Sequence, residues 1–269
     1  MNTKIKNTIL KSSLSPDGIL KLTLNSPHNH NALSEEMMFN IQSSLDDTIN
    51  NKQVRVIIIS SDGPTFSAGH DLKELTLGRK NPDKGRAYFK EIMNKCSKLM
   101  KTIVNNPKPI IAEVSGTATA AGCQLVASCD LAYASKSAKF ATPGVNIGLF
   151  CSTPMVAVSR NLSNKHSMEM LLNGELISAD KAEKIGLINK AVEDLLLKQH
   201  TFDIALKISK KSAITLKIGK EAFYKQLDMT LTEAYDYASN VMVENMLKLD
   251  AEEGIGAFID KREPNWQDK

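Results

Sequence analysis

The sequence contains few cysteines, few aromatic residues and no long apolar segment. The four cysteines show neither CxxC nor Cys/His ligand spacing, so neither a disulfide framework nor a metal site is predicted. We expect reduced, buried thiols, as in an intracellular protein. No apolar run approaches the roughly 20 residues of a membrane helix, and the N-terminus lacks the apolar core of a secretory signal. The sequence therefore predicts a soluble protein with no membrane partner.

Charge of neither sign is concentrated in one region. The 34 basic and 30 acidic residues are interspersed and leave a net charge of +4, without the basic block typical of nucleic-acid binding. We expect no nucleic-acid partner. A strand-like segment at residues 18–25 begins too early to leave room for a cleaved organelle transit segment, so the predicted location is the cytoplasm.

The chain alternates between strand and helix patterns. Short β-branched runs bounded by turn residues predict strands in "GILKLTLN", "VRVIIIS", "PIIAEVSG" and "DLAYAS". Helices are predicted after the N-cap Ser34 and over residues 85–104, and later over residues 168–172, 179–185, 192–208, 213–226 and 231–249. This order is typical of stacked βαβ units. It predicts an α/β fold with a core at residues 1–200 and a helical region at residues 201–269.

Two segments rich in small residues are candidates for a ligand site. In "FSAGHDLKEL" (residues 66–75), small side chains at an apolar strand end allow a ligand to approach the backbone. In "TATAAGCQLVASCD" (residues 117–130), a helix that starts near Ala121 would present free N–H groups and the positive end of its dipole. Spacing alone does not show that the two segments meet, and for either one alone tight helix–strand packing is the stronger interpretation.

Both segments resemble signatures of one family. "FSAGHDLKEL" is similar to the F-x-A-G-A-D-[LI]-K-E signature of the enoyl-CoA hydratase/isomerase (crotonase) superfamily, and residues 109–130 are similar to its P-x-I-A-x-x-x-G-x-A-x-G-G-G-x-E-L-x-x-x-C-D block. Three further stretches also match, namely "NALSEEMM", "LLNGELISADKAEKIGLINKAV" and "EGIGAFIDKREPNW". The resemblance covers essentially the whole chain, with five independent segments in the right order.

The resemblance implies a fold, an assembly and a substrate. It implies repeated ββα units that form two roughly perpendicular sheets, followed by a helical region that makes trimers, so a homotrimer or homohexamer is expected. It also implies an acyl-CoA thioester as substrate and no separate cofactor, since coenzyme A is part of the substrate. The backbone N–H groups of His70 and Ala121 would form the oxyanion hole that stabilises the enolate.

The same resemblance implies a path for coenzyme A. The adenine and pantetheine path would be lined by Ala68, His70, Asp71, Leu72 and Lys73. The nucleotide end would be held by Phe258 and Lys261 in the terminal helix.

The sequence departs from the family at the two positions that carry acid–base chemistry. Active hydratases have glutamates where this chain has Gln124 and Gly144. An amide does not titrate and glycine has no side chain, so the two-glutamate hydration of an enoyl-CoA is not expected. Three interpretations remain open. They are an enzyme that uses His70 or a bound water, a catalytically silent acyl-CoA-binding protein and, least favoured, a structural oligomer without a ligand.

Several other side chains are candidates for a replacement role. His70 would lie beside the oxyanion hole, and its imidazole titrates near neutrality. Glu74 is expected to be a structural acid, and Glu113 a pairing or interface residue. A nucleophile facing the acyl pocket is also considered, although the sequence shows no adjacent base to activate one; the candidates are Cys123, Cys151 and Ser152.

Overall fold

The computed structural model describes residues 8–269 and contains two β-sheets surrounded by helices. The strands are β1 (Leu10–Leu14), β2 (Ile19–Leu24), β3 (Val56–Ser61), β4 (Thr65–Ser67), β5 (Ile110–Val114), β6 (Thr117–Thr119), β7 (Leu131–Ser135), β8 (Lys139–Ala141), β9 (Ile177–Ser178) and β10 (Lys190–Val192). The helices are α1 (Glu35–Thr48), α2 (Leu72–Gly78), α3 (Arg86–Asn105), α4 (Ala121–Ser128), α5 (Ser152–Val158), α6 (Asn164–Asn173), α7 (Ala179–Ile185), α8 (Leu197–Ser209), α9 (Ala213–Gln226), α10 (Leu231–Met246) and α11 (Leu249–Ile259). Short 3-10 helices lie at Pro27–Asn29, Pro143–Ile147 and Asp194–Leu196.

The larger sheet has six strands in the order β1-β2-β3-β5-β7-β10. Only the β1–β2 pair is antiparallel. The smaller sheet has the order β4-β6-β8-β9, parallel except for β8–β9. The predicted α/β class and the four predicted strands are confirmed. Apart from the strand end at Phe66, the sequence missed the other strands. They are β1, whose residues are mostly exposed, β10, which begins just before a predicted helix, and the rest of the smaller sheet, whose strands are only two or three residues long.

The central strand β3 is buried on both faces. Ile57 and Ile59 point into the main core with α1, α3 and α4, while Val56 and Ile58 pack in a second cluster with α8. A parallel strand covered by helices on both faces reads as a continuous apolar run rather than an alternating one. This explains why "VRVIIIS" is apolar at successive positions.

Most helix ends follow the predicted caps. The Ser34 hydroxyl accepts a hydrogen bond from the Met37 N–H at 3.2 Å, and Gly174 and Gly186 end α6 and α7 in left-handed backbone. Two predicted helices are wrong. Residues 192–208 do not form one helix, because Val192 pairs with Ser135 in the larger sheet and α8 begins only at Leu197. Residues 231–249 divide at the extended backbone of Lys248.

The C-terminal helices are attached to the sheet by a buried ion pair. On α9, the Lys220 ammonium lies 2.7 Å from the Asp130 carboxylate, which also accepts a hydrogen bond from the Tyr224 hydroxyl at 2.9 Å. The same ammonium donates to the carbonyl oxygens of Ile103 and Lys108 at 3.0 Å each. The boundary near residue 200 and the trimer-forming role of the terminal helices remain predictions. Across residues 8–269, every helix is too short or too polar to cross a membrane.

Candidate functional site

The two small-residue segments lie side by side in the smaller sheet. Strand β4 pairs in parallel with β6, with Ser67 opposite Ala118. Just beyond this pair, Gly69 has a φ of +87°, and a Cβ built on it would lie 2.9 Å from the backbone nitrogen of Ala121 and 2.9 Å from the Cβ of Ala120. Only glycine fits both this backbone angle and this space. The structure therefore brings together the two segments that the sequence could only treat separately.

Helix α4 begins at Ala121 in a conformation that aims its N-terminus at the His70 segment. Ala120, the residue before the helix, has φ 51° and ψ −121°. It is held there because its N–H donates to the Ala141 carbonyl at 3.0 Å and its carbonyl accepts from the Gln124 N–H at 3.0 Å. Among residues 8–269, no acceptor is bonded to the backbone N–H of Ala121 or of His70. Both are therefore donors without a partner in the described chain, as is usual for the first N–H groups of a helix in the case of Ala121.

Both ring nitrogens of the half-buried His70 side chain are shielded from solvent, and neither has a hydrogen-bond partner of standard geometry within residues 8–269. Burial lowers the pKa of His70 below its usual 6.5, because removal from water disfavours the imidazolium. The backbone of Leu33 lies close enough to the ring to favour its protonated form, which opposes the effect of burial. The backbone on either side is fixed, since the Leu33 N–H donates to the Gly69 carbonyl at 2.7 Å and the Ala68 N–H donates to the His30 carbonyl at 3.0 Å. The side chain is therefore a neutral imidazole near pH 7.

Gln124, the fourth residue of α4, is buried in the core. It is only 3% exposed, and its side-chain oxygen faces the Cys96 thiol, with an S–O distance of 3.9 Å. Burial raises the pKa of Cys96 to about 12, so this thiol keeps its proton and can donate it. The amide thus takes part in an uncharged core contact.

Gly144 lies in the 3-10 helix that precedes α5. Its N–H donates to the Cys151 sulfur at 3.3 Å, and a Cβ built on it would lie 2.8 Å from the Leu149 carbonyl oxygen and 2.9 Å from that sulfur. The space that a side chain at residue 144 would enter is already filled.

The thiols and the hydroxyl near the predicted acyl pocket are not activated nucleophiles. All four cysteines are buried, as predicted, and each is free in the described chain. Burial raises the pKa of Cys123 to about 12 and also raises the pKa of Cys151, so both are protonated at neutral pH. The exposed Ser152 hydroxyl donates to the Phe150 carbonyl at 3.3 Å.

The two acids considered as candidates have structural partners. The Glu74 carboxylate accepts a hydrogen bond from the Glu35 N–H at 3.0 Å, at the start of α1, and burial raises the pKa of Glu74. Glu113 is 3% exposed and pairs with the Lys21 ammonium at 2.8 Å. Each carboxylate therefore has the structural role that the sequence predicted for it.

The residues of the predicted coenzyme A path are only partly adjacent. The Asp71 carboxylate caps α2 by accepting the N–H groups of Lys73 at 2.8 Å and Glu74 at 3.4 Å. Ala68, Leu72 and Lys73 are exposed beside it. Phe258, at 85% exposure, lies near the end of α11. The prediction that Lys261 lies in the terminal helix is wrong, because α11 ends at Ile259 and Lys261 adopts a φ of 55°.

The sequence did not reveal two features of the site. Ala120 adopts left-handed backbone without being glycine, and Cys96 is the partner of Gln124 from a helix 28 residues earlier. The backbone of Ala120 had a weak signal in the sequence, since the family block has glycine at that position. The contact between Cys96 and Gln124 had no signal in the sequence. No group of three or more His, Cys, Asp or Glu side chains within the described part of the chain is arranged to hold a metal ion.

The sequence is similar to one protein family and to curated proteins of that family. The model of the enoyl-CoA hydratase/isomerase family matches residues 15–269. "Enoyl-CoA hydratase domain-containing protein 3, mitochondrial" from Mus musculus is 49% identical over 257 residues, which cover 96% of this chain and 84% of that protein. The Homo sapiens protein of the same name is 49% identical over 250 residues, or 93% and 81% of the two chains.

Solved structures resemble the whole fold. The crystal structure of human enoyl-CoA hydratase domain-containing protein 3 has a TM-score of 0.91 at 47% identity and covers 96% of this chain and 100% of that chain. An enoyl-CoA hydratase from Mycobacterium smegmatis has a TM-score of 0.92 at 41% identity, with 96% and 98% coverage. These similarities support both the predicted superfamily and the predicted crotonase fold.

The predicted cytoplasmic location is contradicted. The relatives from Mus musculus and Homo sapiens are both named mitochondrial. The prediction was based on the early position of the first predicted strand. That position marks where the folded domain starts, whereas targeting segments are recognised outside the fold, so the strand does not determine the compartment.

Proposed function

The chain belongs to the enoyl-CoA hydratase/isomerase family, and we propose that it binds an acyl-CoA thioester whose carbonyl oxygen accepts hydrogen bonds from the backbone N–H groups of His70 and Ala121. One observation carries this proposal. Two backbone donors without partners lie on segments that contact each other through Gly69, and one of them begins a buried helix. Backbone donors at a helix N-terminus favour a ligand oxygen that carries negative charge.

Such a pair of donors stabilises an enolate. When charge moves from the α carbon to the thioester oxygen, each preorganised donor can contribute on the order of 3–4 kcal/mol, the value found for oxyanion holes in acyl transfer. The neutral imidazole of His70 is the candidate proton acceptor. The side chains at residues 124 and 144 supply no carboxylate, so we propose chemistry at the α carbon and not two-glutamate hydration.

A second candidate is a catalytically silent acyl-CoA-binding protein. This alternative is favoured because the thiols at the site are protonated at neutral pH and the amide cannot titrate. The Cys96 and Cys123 thiols have pKa values raised to about 12, and Gln124 is engaged by Cys96. If the His70 ring does not reach the α carbon, these groups leave a site that polarises a thioester without moving protons.

The experiment deletes one donor without changing a side chain. Replacing the peptide N–H of residue 121 by an ester oxygen, through incorporation of the α-hydroxy analogue of alanine, should weaken binding of a CoA thioester measured by calorimetry. Turnover on enoyl-, hydroxyacyl- and malonyl-type CoA thioesters should fall by roughly a hundredfold or more if the protein is an enzyme. An ester at the exposed Ala87, whose N–H donates only to Asp83, is the matched control.

The outcomes separate the two candidates. Turnover that His70→Ala abolishes while binding persists identifies the enzyme. Binding without turnover on any of these thioesters identifies the silent protein. An ester at residue 121 that changes neither binding nor turnover contradicts the proposed site.

The assembly and location follow from the same family membership. We propose a homotrimer or homohexamer, supported by large apolar side chains on the terminal helices and the turn between them, which are exposed in the single chain. They include Leu231, Leu247, Phe258 and Ile259. Sedimentation measures the mass of the assembly, and a single-chain mass contradicts the proposal. We also propose a mitochondrial location, which cell fractionation tests.

A further inference from the structure

A cavity of about 390 Å³ lies on the face of the larger sheet that α8 covers. Its apolar lining includes Ile19 and Ile58, which belong to the second core cluster, and Phe202 of α8, which packs against that cluster. The candidate functional site lies on the other face of the sheet, since Ala121 packs in the main core. A volume of this size is typical of small-molecule sites. The cavity is therefore separate from the site described above.

A buried ion pair lines this cavity. The Lys21 ammonium lies 2.8 Å from the Glu113 carboxylate. Lys21 is on β2 and Glu113 is on β5, so the pair reaches across β3, which lies between them. A buried ion pair is often no more stabilising than apolar side chains of similar volume, because both charges lose their hydration. Its presence on an otherwise apolar sheet face therefore points to a use other than packing.

The accessible charge in the cavity is positive. The side chain of Lys21 is 31% exposed and that of Glu113 is 4% exposed, so a ligand meets the ammonium before the carboxylate. An ammonium has three donors, and Glu113 accepts from Lys21 through a single carboxylate oxygen. Lys198 also lines the cavity, and two lysines against one glutamate leave the lining with a net charge of +1. The cavity therefore combines an apolar wall with donors for an anion.

The position of Lys198 strengthens this preference. It lies in the first turn of α8, where the helix dipole favours negative charge. An alkylammonium ligand would have to displace Lys21 from Glu113 and would then face the uncompensated charge of Lys198. A carboxylate meets two ammonium groups and leaves the existing ion pair in place. The charges of the lining therefore favour an acid over an amine.

We propose that this cavity binds an aliphatic carboxylate of medium chain length. Its carboxylate accepts charge-assisted hydrogen bonds from Lys21 and Lys198, and its chain packs against Ile19, Ile58 and Phe202. Glu113 holds the Lys21 ammonium at the cavity. This proposal goes beyond the proposed function and does not require that a CoA thioester binds.

The test uses two ligands of equal chain length and opposite charge. Octanoate and octylammonium are titrated into the full chain by calorimetry at neutral pH. Octanoate should bind, and octylammonium should bind far more weakly or not at all. Lys198→Met removes one ammonium from an exposed position and should weaken octanoate by roughly tenfold. Lys207→Met is the matched control, because Lys207 is an exposed lysine of the same helix that does not line the cavity.

A second variant removes the ion pair as a unit. Lys21→Met/Glu113→Leu leaves neither charge without its partner, so its unfolding temperature should be no lower than that of the native protein. It should nevertheless bind octanoate at least tenfold more weakly. Thermal unfolding of the same samples without ligand shows that the fold is retained, so that a loss of binding is assigned to the cavity.

Three results overturn the proposal. Octanoate binding that neither Lys198→Met nor the double variant weakens takes place elsewhere on the protein. Tighter binding of octylammonium than of octanoate contradicts the sign of the ligand charge. Absence of octanoate binding to the native protein removes the site. None of these results bears on the proposed thioester site, which lies on the other face of the larger sheet.

Discussion

The backbone N–H of Gly144 donates to the sulfur of Cys151 at 3.3 Å, and the Leu149 N–H closes the same turn by donating to the Gly144 carbonyl at 2.9 Å. These contacts hold residues 149–151 against residue 144, the position where the family resemblance predicts a glutamate in active hydratases. The loop therefore occupies the space that any side chain at residue 144 would enter.

We expect that introducing carboxylates at residues 124 and 144 does not produce hydration of an enoyl-CoA. In Gln124→Glu/Gly144→Glu, the new side chain at residue 144 would meet the Leu149 carbonyl and the Cys151 sulfur. It should therefore cost about 1–3 kcal/mol of stability, as overpacking does. Thermal unfolding and hydration of crotonyl-CoA are measured together, with Gln124→Glu alone as control. A double variant of native stability that hydrates crotonyl-CoA would show that the space is open.

Ala120→Gly should stabilise the protein or leave it unchanged, unlike most substitutions of alanine by glycine. At φ 51° and ψ −121° Ala120 lies in a sparsely populated backbone region, which costs a non-glycine residue about 1–3 kcal/mol, whereas the added flexibility of glycine costs about 0.5–1 kcal/mol. The expected net gain is up to about 2 kcal/mol in chemical denaturation. Ala127→Gly, inside the same helix α4, is the control and should destabilise. A loss at residue 120 as large as at residue 127 contradicts the assignment of strain.

His70 should make the folded state less stable in mild acid. Its folded pKa lies below the ordinary 6.5 because of burial. As the pH falls below 6.5, His70 binds a proton in the unfolded chain but not yet in the folded chain. The free energy of unfolding therefore declines until the pH reaches the folded pKa. His70→Asn should remove this part of the slope. Denaturation curves of both proteins from pH 7 downward measure the difference, and parallel pH profiles would refute the buried neutral imidazole.

Removing the ammonium that faces Asp130 should be costly. In Lys220→Met the carboxylate keeps its hydrogen bonds to Tyr224 and Ile110 but loses its counter-charge in a mostly buried place. Leaving one charge of a buried pair uncompensated typically costs about 3–5 kcal/mol. Adding Asp130→Asn to this variant should recover part of the loss. Additive losses in the double-mutant cycle, measured by chemical denaturation, would show that the two groups do not interact.

Local sequence signals predicted the helices and strands that are long enough to show a hydrophobic periodicity or that end at a capping residue. Ser34, Gly174 and Gly186 act through backbone geometry within a few residues of themselves, so the ends they mark were predictable. Val192 was misassigned because its apolar character fits a helix as well as an edge strand. The strands of the smaller sheet are too short to show alternation, and only pairing with distant strands makes them strands.

By itself the sequence determined the α/β class, the start of a helix near Ala121 and the absence of a titratable side chain at residues 124 and 144, since these depend on residue type and local order. Only the tertiary structure decided that Gly69 packs against the peptide of Ala121, that Cys96 faces Gln124 and that Cys151 closes over Gly144. Each of these contacts joins residues from different elements, and their distance in space depends on how the sheets and helices pack rather than on any spacing along the chain.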